Sequence, residues 1–259
     1  MQIEQHSFLV TGGASGLGES VVRAIVAQGG KVVIADLNES TGQALVDELG
    51  DHARFVRCDV TSGNEVQAAV DMAESEFGGL QGSINCAGIV VVQKLLDREN
   101  NPADLDAFSR GVNINLVGSF NVARLVAASI AKRVAVSTAT EVNADNGIII
   151  NTASIAAFDG QVGQGSYASS KAGVVGMMLP LARELTRHGI RVMTIAPGVF
   201  ATPMMQSLPE KAREQLEAAV PYPKRLGNPN EFAKLVMHII DNAYLNGEVI
   251  RLDGAIRMV

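Results

Sequence analysis

Short apolar runs alternate with longer segments that repeat apolar residues at helical spacing. The apolar runs have the length and composition of buried β-strands. Glycines at positions 29, 30 and 50 follow the first two helical segments, where a helix commonly ends. The runs predicted as strands are residues 8–10, 32–35, 54–58, 83–86, 148–150, 191–195 and 249–252. The segments predicted as helices are residues 17–28, 41–49, 65–77 and one that includes residues 167–171.

This alternation is typical of parallel strands joined by helical crossovers on both faces of an open sheet. The chain is therefore predicted to be an α/β protein, with a single-domain, Rossmann-type doubly wound parallel sheet of about seven strands. Neither a linker nor a repeat divides the sequence, so residues 1–259 are predicted as one domain. Residues 90–106 and 199–223 follow strand carboxyl ends, where ligands bind in such sheets, and are predicted as substrate loops.

Composition narrows the classes of partner. The chain is 47% apolar with only 4% aromatic residues, which suits helices packed on a parallel sheet. Its net charge is −6 and it has no basic block, so nucleic acid is not expected as a partner. The longest uncharged apolar stretch, residues 172–182, is too short to cross a bilayer, so no membrane partner is expected.

Cysteine and histidine usage predicts neither a disulfide scaffold nor a metal site. Cys58 and Cys86 fit no CxxC motif, which favours a reducing compartment. The four histidines are scattered along the chain, and no metal ligand set is predicted. Residues 1–7 are polar and resemble neither a secretory signal nor a transit segment. A cytoplasmic location is therefore expected.

A glycine-rich stretch, residues 11–18, lies between the first strand and the first helix. Helix N-termini present unpaired N–H groups and a positive dipole end, which attract phosphate. Gly12, Gly16 and Gly18 would leave room for the phosphate to approach the backbone. Because three glycines also occur in ordinary turns, the motif alone predicts a dinucleotide site only weakly.

Asp36 sharpens that prediction, because it stands at the end of the second strand. A carboxylate there accepts hydrogen bonds from the adenosine ribose hydroxyls and repels a 2′-phosphate. Its neighbours Ala35 and Leu37 are uncharged, and residues 11–18 contain no lysine or arginine. The sequence therefore predicts NAD rather than NADP. The alternative is that Asp36 only begins a turn with Asn38.

Two further strand ends carry candidate cofactor contacts. Asp59 and Val60 follow the third strand and are candidates for contact with adenine. Cys86, Ala87 and Gly88 follow the fourth and are candidates to line the cofactor. Each of these segments, taken singly, is equally consistent with a plain turn at a strand end.

Ser154, Tyr167 and Lys171 are the candidate proton-transfer residues. A tyrosine with a pKa near ~10 is a poor base at neutral pH, but a nearby cation lowers that pKa. Tyr167 and Lys171 are four residues apart, so one face of a helix carries both. Ser154 would orient the substrate oxygen toward Tyr167. The alternative is a surface helix pair, although the small residues 168–173 indicate close packing.

These motifs together resemble the short-chain dehydrogenase/reductase family over essentially the whole chain. The family's Thr-Gly-x-x-x-Gly-x-Gly matches residues 11–18, and its Asn-Asn-Ala-Gly matches residues 85–88 with Cys86 in place of the second Asn. Its Ser and Tyr-x-x-x-Lys match Ser154, Tyr167 and Lys171. The resemblance implies that Asn115 is catalytic, fixing a water that relays protons from Lys171.

The same resemblance implies a set of cofactor contacts in the glycine turn, at strand ends, in the catalytic helix and in a Pro-Gly turn. Thr202 is placed where the nicotinamide amide is held. The set is Gly12, Ser15, Gly16, Leu17, Gly18, Asp36, Asp59, Val60, Cys86, Ala87, Gly88, Tyr167, Lys171, Pro197, Gly198, Val199 and Thr202.

Four segments, residues 151–154, 158–164, 191–198 and 246–258, resemble a narrower group within the family. Its members use NAD to oxidise short 3-hydroxyacyl-CoA substrates and form homotetramers, which implies a role in fatty acid metabolism here. By this resemblance Gln161 lies in the substrate pocket, though a plain loop glutamine is equally consistent. The alternatives are a dehydrogenase for hydroxysteroids or other bulky secondary alcohols, and a non-catalytic NAD-binding module.

Overall fold

Seven parallel strands form one sheet in the order β3-β2-β1-β4-β5-β6-β7, within residues 1–136, 144–206 and 208–258 that the computed structural model describes. Helices flank both faces, so the predicted α/β, doubly wound architecture is confirmed. The strands are β1 Ser7–Thr11, β2 Lys31–Asp36, β3 Ala53–Arg57, β4 Gly82–Asn85, β5 Gly147–Thr152, β6 Ile190–Pro197 and β7 Val249–Leu252.

The helices follow the strands along the chain. Those before β5 are α1 Gly16–Ala27, α2 Glu39–Leu49, α3 Gly63–Phe77, α4 Leu105–Val112 and α5 Gly118–Val136. Those after β5 are α6 Gly165–Leu185, α7 Pro203–Gln206, α8 Glu210–Ala218 and α9 Pro229–Asp241. A π-helical turn, Asn113–Val117, joins α4 to α5.

The central strands are buried on both faces, which explains their continuous apolar runs. Side chains alternate across the sheet, so Phe8 and Val10 pack in a cluster with α1 and α9. Leu9 points the other way, into a cluster with α3, α5 and α6. In β5, Ile148, Ile149 and Ile150 are all fully buried. The two apolar layers fix the register of the strands and thereby the positions of their carboxyl ends.

The sequence pattern did not predict the long helical run over Leu105–Ala135. The run is long and apolar enough to cross a bilayer by length and composition, a test that core helices of soluble proteins also pass. Of its most apolar window, 56% is buried inside the fold. Its mean apolar content is therefore consistent with packing on the sheet.

The predicted substrate loops contain more regular structure than expected. Residues 199–223 hold α7 and α8, with residue 207 outside the described part of the chain. Residues 90–106 carry an antiparallel bridge between Leu96 and Pro102, and α4 begins within them. Helix α9 was also missed, although Asn228 and Glu231 form a capping box at its start.

Two predicted strand ends were one residue too long. Strand β3 ends at Arg57 and β4 at Asn85, so Cys58 and Cys86 follow the strands rather than belong to them. The prediction of one domain over residues 1–259 includes residues 137–143, 207 and 259, which are not described. It stays a prediction.

The sheet topology determines where a ligand can bind. Strand β1 lies between β2 and β4, so the chain leaves β1 toward one edge and later continues from β4 toward the other. This reversal opens a crevice at the carboxyl ends of β1 and β4. The glycine turn after β1 and residues 86–88 after β4 meet at this crevice.

Candidate active site

The glycine turn after β1 is packed too closely for side chains. Gly12 has a φ of +62°, and a Cβ there would lie 2.8 Å from the backbone nitrogen of Ala87. A Cβ on Gly18 would overlap the carbonyl oxygen of Gly12. The turn can therefore keep this shape only with glycine at both positions.

Helix α1 starts at the crevice with its first turn uncapped by a side chain. Ser15 is the N-cap residue and makes no side-chain capping hydrogen bond. The first-turn residues Gly16, Leu17 and Gly18 thus present their N–H groups at the mouth of the crevice. Gly16 has a φ of +56°, a left-handed conformation that favours glycine. This arrangement fits a pyrophosphate group.

The Asp36 carboxylate lies beside the glycine turn. Its Oδ2 accepts a hydrogen bond from the backbone N–H of Ala14 at 3.1 Å, and its Oδ1 accepts one from that of Asn38 at 3.0 Å. The next residue, Leu37, is 58% exposed and brings no charge. The carboxylate is thus fixed where an adenosine ribose would meet it. Asp36 therefore does form the turn with Asn38, and its contact with a ribose stays a prediction.

Asp59 and Val60 form a firm turn after β3. The Asp59 Oδ1 accepts hydrogen bonds from the N–H and hydroxyl of Thr61, at 2.9 and 2.7 Å. Val60 is buried, and its carbonyl accepts a hydrogen bond from the Asn121 amide at 2.8 Å. The turn follows the carboxyl end of β3, which pairs with β2, so Asp59 and Val60 remain candidates for contact with adenine.

Residues 86–88 follow β4 and line the crevice next to the glycine turn. The Ala87 N–H donates to the Thr11 hydroxyl at 3.3 Å, which ties this segment to β1. The Cys86 thiol accepts a hydrogen bond from the Thr152 hydroxyl at 3.6 Å, and burial raises its pKa to about 11. Cys86 is therefore a neutral thiol at physiological pH and acts here as a small lining group.

Ser154, Tyr167 and Lys171 converge at the carboxyl end of β5. Ser154 lies two residues after the end of β5, and its hydroxyl is close enough to the Tyr167 side chain to lower the pKa of that phenol. The Ser154 hydroxyl also accepts a hydrogen bond from the Ala156 N–H at 3.1 Å, which fixes its rotamer. Tyr167 and Lys171 lie on one face of α6, with the Lys171 Nζ 5.9 Å from the centre of the Tyr167 ring. The predicted trio is therefore a spatial cluster.

The expected lowering of the Tyr167 pKa is wrong for this structure. Burial is the larger influence and raises the pKa of Tyr167, while the hydrogen bond from Ser154 lowers it. Lys171 is buried as well, and burial lowers its pKa to about 8. The sequence reveals the charge of Lys171 but not the desolvation that accompanies a closed site.

Asn115 is fully buried next to this cluster, in the π-helical turn Asn113–Val117. Its Oδ1 accepts a hydrogen bond from the Ile89 N–H at 2.8 Å, and its Nδ2 donates to the Ile89 carbonyl at 2.9 Å. The same Nδ2 donates to the Ser170 hydroxyl at 3.0 Å. Asn115 therefore joins the segment after β4 to the catalytic helix. Single π-helical turns are frequent at functional sites.

The segment after β6 folds back over the glycine turn. Pro197 ends β6, and the Gly198 N–H donates to the Leu252 carbonyl at 2.9 Å. Val199 follows, and Thr202 comes so close to Gly16 that a Cβ there would lie 3.4 Å from the threonine methyl. Thr202 therefore lies against the glycine turn at the start of α1, and its contact with the nicotinamide stays a prediction.

Gln161 lies in the loop between Ser154 and α6. Its N–H donates to the Gln164 side-chain oxygen at 2.9 Å, which fixes the backbone at the start of the helix. Apolar side chains remain exposed in this loop, in residues 90–96, whose Gln93 N–H donates to the Gly163 carbonyl, and in α7, and they suit an apolar ligand. They are Val90, Val92, Leu95, Leu96, Phe158, Val162 and Met204, and we call them the apolar rim.

Sequence reasoning missed two groups that hold the cluster. The Thr152 carbonyl accepts a hydrogen bond from the Lys171 ammonium, and no side-chain pattern could reveal a backbone acceptor. Ser170 supports Asn115, and its position three residues after Tyr167 was a usable signal. The described part of the chain groups no three His, Cys, Asp or Glu side chains as a metal site.

Comparison with known proteins gives a consistent result. The family model for short chain dehydrogenases matches residues 6–213. The chain is 51% identical to 3-hydroxyacyl-CoA dehydrogenase type-2 of Drosophila melanogaster, with 97% of each protein covered. It is 50% identical to the Bos taurus protein of that name, with 96% of this chain and 94% of that protein covered.

A solved structure agrees as well. The crystal structure of 3-hydroxyacyl-CoA dehydrogenase type-2 from Mycobacterium avium has a TM-score of 0.93 and 46% identity. The match covers 100% of this chain and 98% of that one. With the glycine turn, the Ser154 cluster and this similarity in place, the chain belongs to the short-chain dehydrogenase family.

Proposed function

We propose that the protein is an NAD-dependent oxidoreductase that interconverts 3-hydroxyacyl-CoA and 3-oxoacyl-CoA. The observation that carries the proposal is the position of the Ser154 hydroxyl beside the Tyr167 side chain, with the buried Lys171 ammonium 5.9 Å from the centre of the Tyr167 ring. A binding module would need the crevice but not this proton-transfer cluster. The non-catalytic alternative is therefore disfavoured.

The reaction needs a group that takes the hydroxyl proton of the alcohol. We assign this role to the Tyr167 hydroxyl, with the Ser154 hydroxyl holding the substrate oxygen in hydrogen-bonding range. Lys171 supplies a positive charge behind the tyrosine, and this charge favours the phenolate, which is the form of Tyr167 that takes the alcohol proton. Asn115 holds the segment after β4 against α6, the helix that carries Tyr167 and Lys171. In the reductive direction Tyr167 returns the proton to the ketone oxygen.

The crevice suits NAD on three observations. The glycine turn and the start of α1 offer backbone N–H groups to the pyrophosphate. Asp36 offers a carboxylate to the ribose and would repel a 2′-phosphate. When NAD is bound, its nicotinamide would accept the hydride that leaves the carbinol carbon of the alcohol. Gly88 leaves space beside Lys171 and Asn115, since a Cβ would lie 3.4 Å from the Lys171 Nζ.

The substrate class rests on the similarity to the type-2 3-hydroxyacyl-CoA dehydrogenases and on the site's surroundings. The apolar rim would contact an acyl chain, and the family resemblance assigns to Gln161 a hydrogen bond with the acyl carbonyl. The rim equally suits a bulky apolar alcohol, so hydroxysteroid oxidation is the second candidate. Placement in fatty acid metabolism follows from the first candidate.

Assembly as a homotetramer in the cytoplasm is part of the proposal. Apolar side chains remain exposed along the long helical run and on α6, which supports association of copies through these helices. The residues are Leu105, Phe108, Val117, Phe120 and Leu179. Cys58 and Cys86 are free thiols, as suits a reducing compartment. Neither nucleic acid nor a membrane is proposed as a partner.

A substrate panel tests the proposal. Acetoacetyl-CoA and a ketosteroid, at matched concentrations, are each supplied with NADH and with NADPH, and cofactor oxidation is followed by absorbance. We expect acetoacetyl-CoA with NADH to give the highest kcat/KM. Faster turnover of the steroid would favour the second candidate, and NADPH preference would contradict the role given to Asp36.

A further inference from the structure

We propose that Arg251 on β7 is a positioning residue that sets the substrate side of the active site, through an ion pair with Asp159. This inference rests on the proposed function for its kinetic test. Asp159 lies in the loop between Ser154 and Gln161, whereas Arg251 belongs to the last strand of the sheet. The pair therefore connects two segments that are 92 residues apart in sequence.

The Arg251 guanidinium is held on several sides. Its Nη2 donates to the Asp159 Oδ2, and its Nε donates to the Asp253 Oδ2 at 2.8 Å. The guanidinium also lies 5.2 Å from the centre of the Phe158 ring, within cation–π range. Both members of the pair are mostly buried, with 23% of the Arg251 side chain and 19% of the Asp159 side chain exposed. Partial burial limits screening by salt.

The charges of this cluster balance. Arg257 donates to the same Asp253 Oδ2 at 3.0 Å, so two arginines face two aspartates. A planar guanidinium can satisfy two carboxylates at once, which a lysine ammonium does with less geometric control. Arg251 is therefore suited to fix a direction as well as to supply a charge.

An apolar contact reinforces the ion pair. Ile155, in the turn directly after Ser154, packs with Ile256 and Val220 in a small buried cluster. The Arg251 Nη2 also donates to the Ile256 carbonyl at 3.3 Å. Residues 251–257 thus hold the loop after Ser154 at two points, and we call this segment the C-terminal clamp.

The position of Asp159 determines which step the clamp influences. Ser154 is held independently, because it lies two residues after the end of β5 and its hydroxyl accepts a hydrogen bond from the Ala156 N–H. Gln161 lies only two residues beyond Asp159, followed by the exposed apolar residue Val162. Loosening the clamp should therefore displace the substrate-binding part of the loop more than the catalytic part. The expected effect is on KM rather than on kcat.

The kinetic test uses Asp159→Asn, Arg251→Met, their combination and Arg251→Lys. For each single neutral variant we expect the KM for acetoacetyl-CoA to rise roughly tenfold, with kcat and the Kd for NADH changed by less than about threefold. The double variant should be no worse than Arg251→Met alone, because that variant has already lost the interaction with Asp159. Arg251→Lys should restore part of the loss. An unchanged KM, additive losses, or a parallel fall in kcat and NADH affinity would overturn the proposal.

A matched control and a second readout separate this inference from the proposed activity. Arg54 and Glu76 form a partly exposed ion pair at the opposite edge of the sheet, at 2.9 Å, so Glu76→Gln should leave both readouts unchanged. Hydrogen–deuterium exchange of the segment 155–162 needs no turnover. We expect it to be at least about fivefold faster in Asp159→Asn than in the wild type or Glu76→Gln. Equal exchange would refute the clamp even if acetoacetyl-CoA proves not to be a substrate.

Discussion

The Lys171 ammonium donates a hydrogen bond to the Thr152 carbonyl, with 2.7 Å between the lysine Nζ and the carbonyl oxygen. The last residue of β5 therefore fixes the position of the lysine's charge. The ammonium is buried, with the Cys86 thiol and the Tyr167 ring as neighbours. One backbone acceptor does not make up for the hydration that the ammonium loses on burial. Burial therefore lowers the pKa of Lys171 from its ordinary 10.5 to about 8. The fold therefore keeps a desolvated cation beside the Tyr167 phenol.

This burial predicts how stability depends on pH. The unfolded chain binds a proton at Lys171 up to about pH 10.5, whereas the folded chain releases it near pH 8. The cost of the buried charge is thus fully present below pH 8 and disappears as the pH rises to 10.5. We expect the unfolding free energy of the wild type, relative to Lys171→Met, to increase by about 2–3 kcal/mol from pH 7 to pH 10.

Urea unfolding of both proteins at matched concentrations measures this difference. The thiols of Cys58 and Cys86 are present in both proteins, so their titration largely cancels. A difference that stays constant between pH 7 and pH 10 would show that Lys171 is not desolvated in the folded state.

The glycine turn predicts an unequal response to added methyl groups. Gly18→Ala would force a Cβ against the Gly12 carbonyl oxygen, and we expect a loss of at least about 2 kcal/mol of stability. Cofactor affinity should fall at least about tenfold, because the start of α1 must move. Gly165→Ala is the control, since a Cβ at that position meets no atom within 4 Å. Thermal unfolding and NADH fluorescence titration should separate the two variants, and equal behaviour would contradict the packing described.

The carboxylate at position 36 predicts cofactor choice. Asp36→Asn removes the negative charge and retains an oxygen that can accept from Ala14 or Asn38. We expect the ratio of the Kd for NADPH to the Kd for NADH to fall by at least about tenfold, as repulsion of the 2′-phosphate is lost. Titrating both nucleotides against the wild type and the variant measures this ratio. A ratio that does not change would place the ribose away from Asp36.

Elements defined by apolar runs and glycine were predictable from the sequence. The seven strands and the glycine turn follow from local patterns, because a fully buried strand needs a continuous apolar run, as in Ile148–Ile150. The cluster of Ser154 with Tyr167 was also predictable, since residues after a strand and on the next helix meet at the same sheet edge.

Other features depended on tertiary contacts that no local pattern contains. The run Leu105–Ala135 was missed because the apolar residues of its longer part, α5, are spread around the helix, and 56% of the most apolar window of the run is buried. The raised pKa of Tyr167 depends on desolvation by residues distant in sequence. The ion pair of Asp159 with Arg251 spans 92 residues, so only the folded chain brings its members together.

The most direct test of the account is the rate of NADH oxidation with acetoacetyl-CoA in Tyr167→Phe, measured beside its affinity for NADH. We predict that kcat falls by at least about 10²- to 10⁴-fold, because the proton donor is removed, while the Kd for NADH stays within about threefold of the wild type. Unchanged turnover in a variant that still binds NADH would contradict the assignment of Tyr167 as the group that transfers the proton.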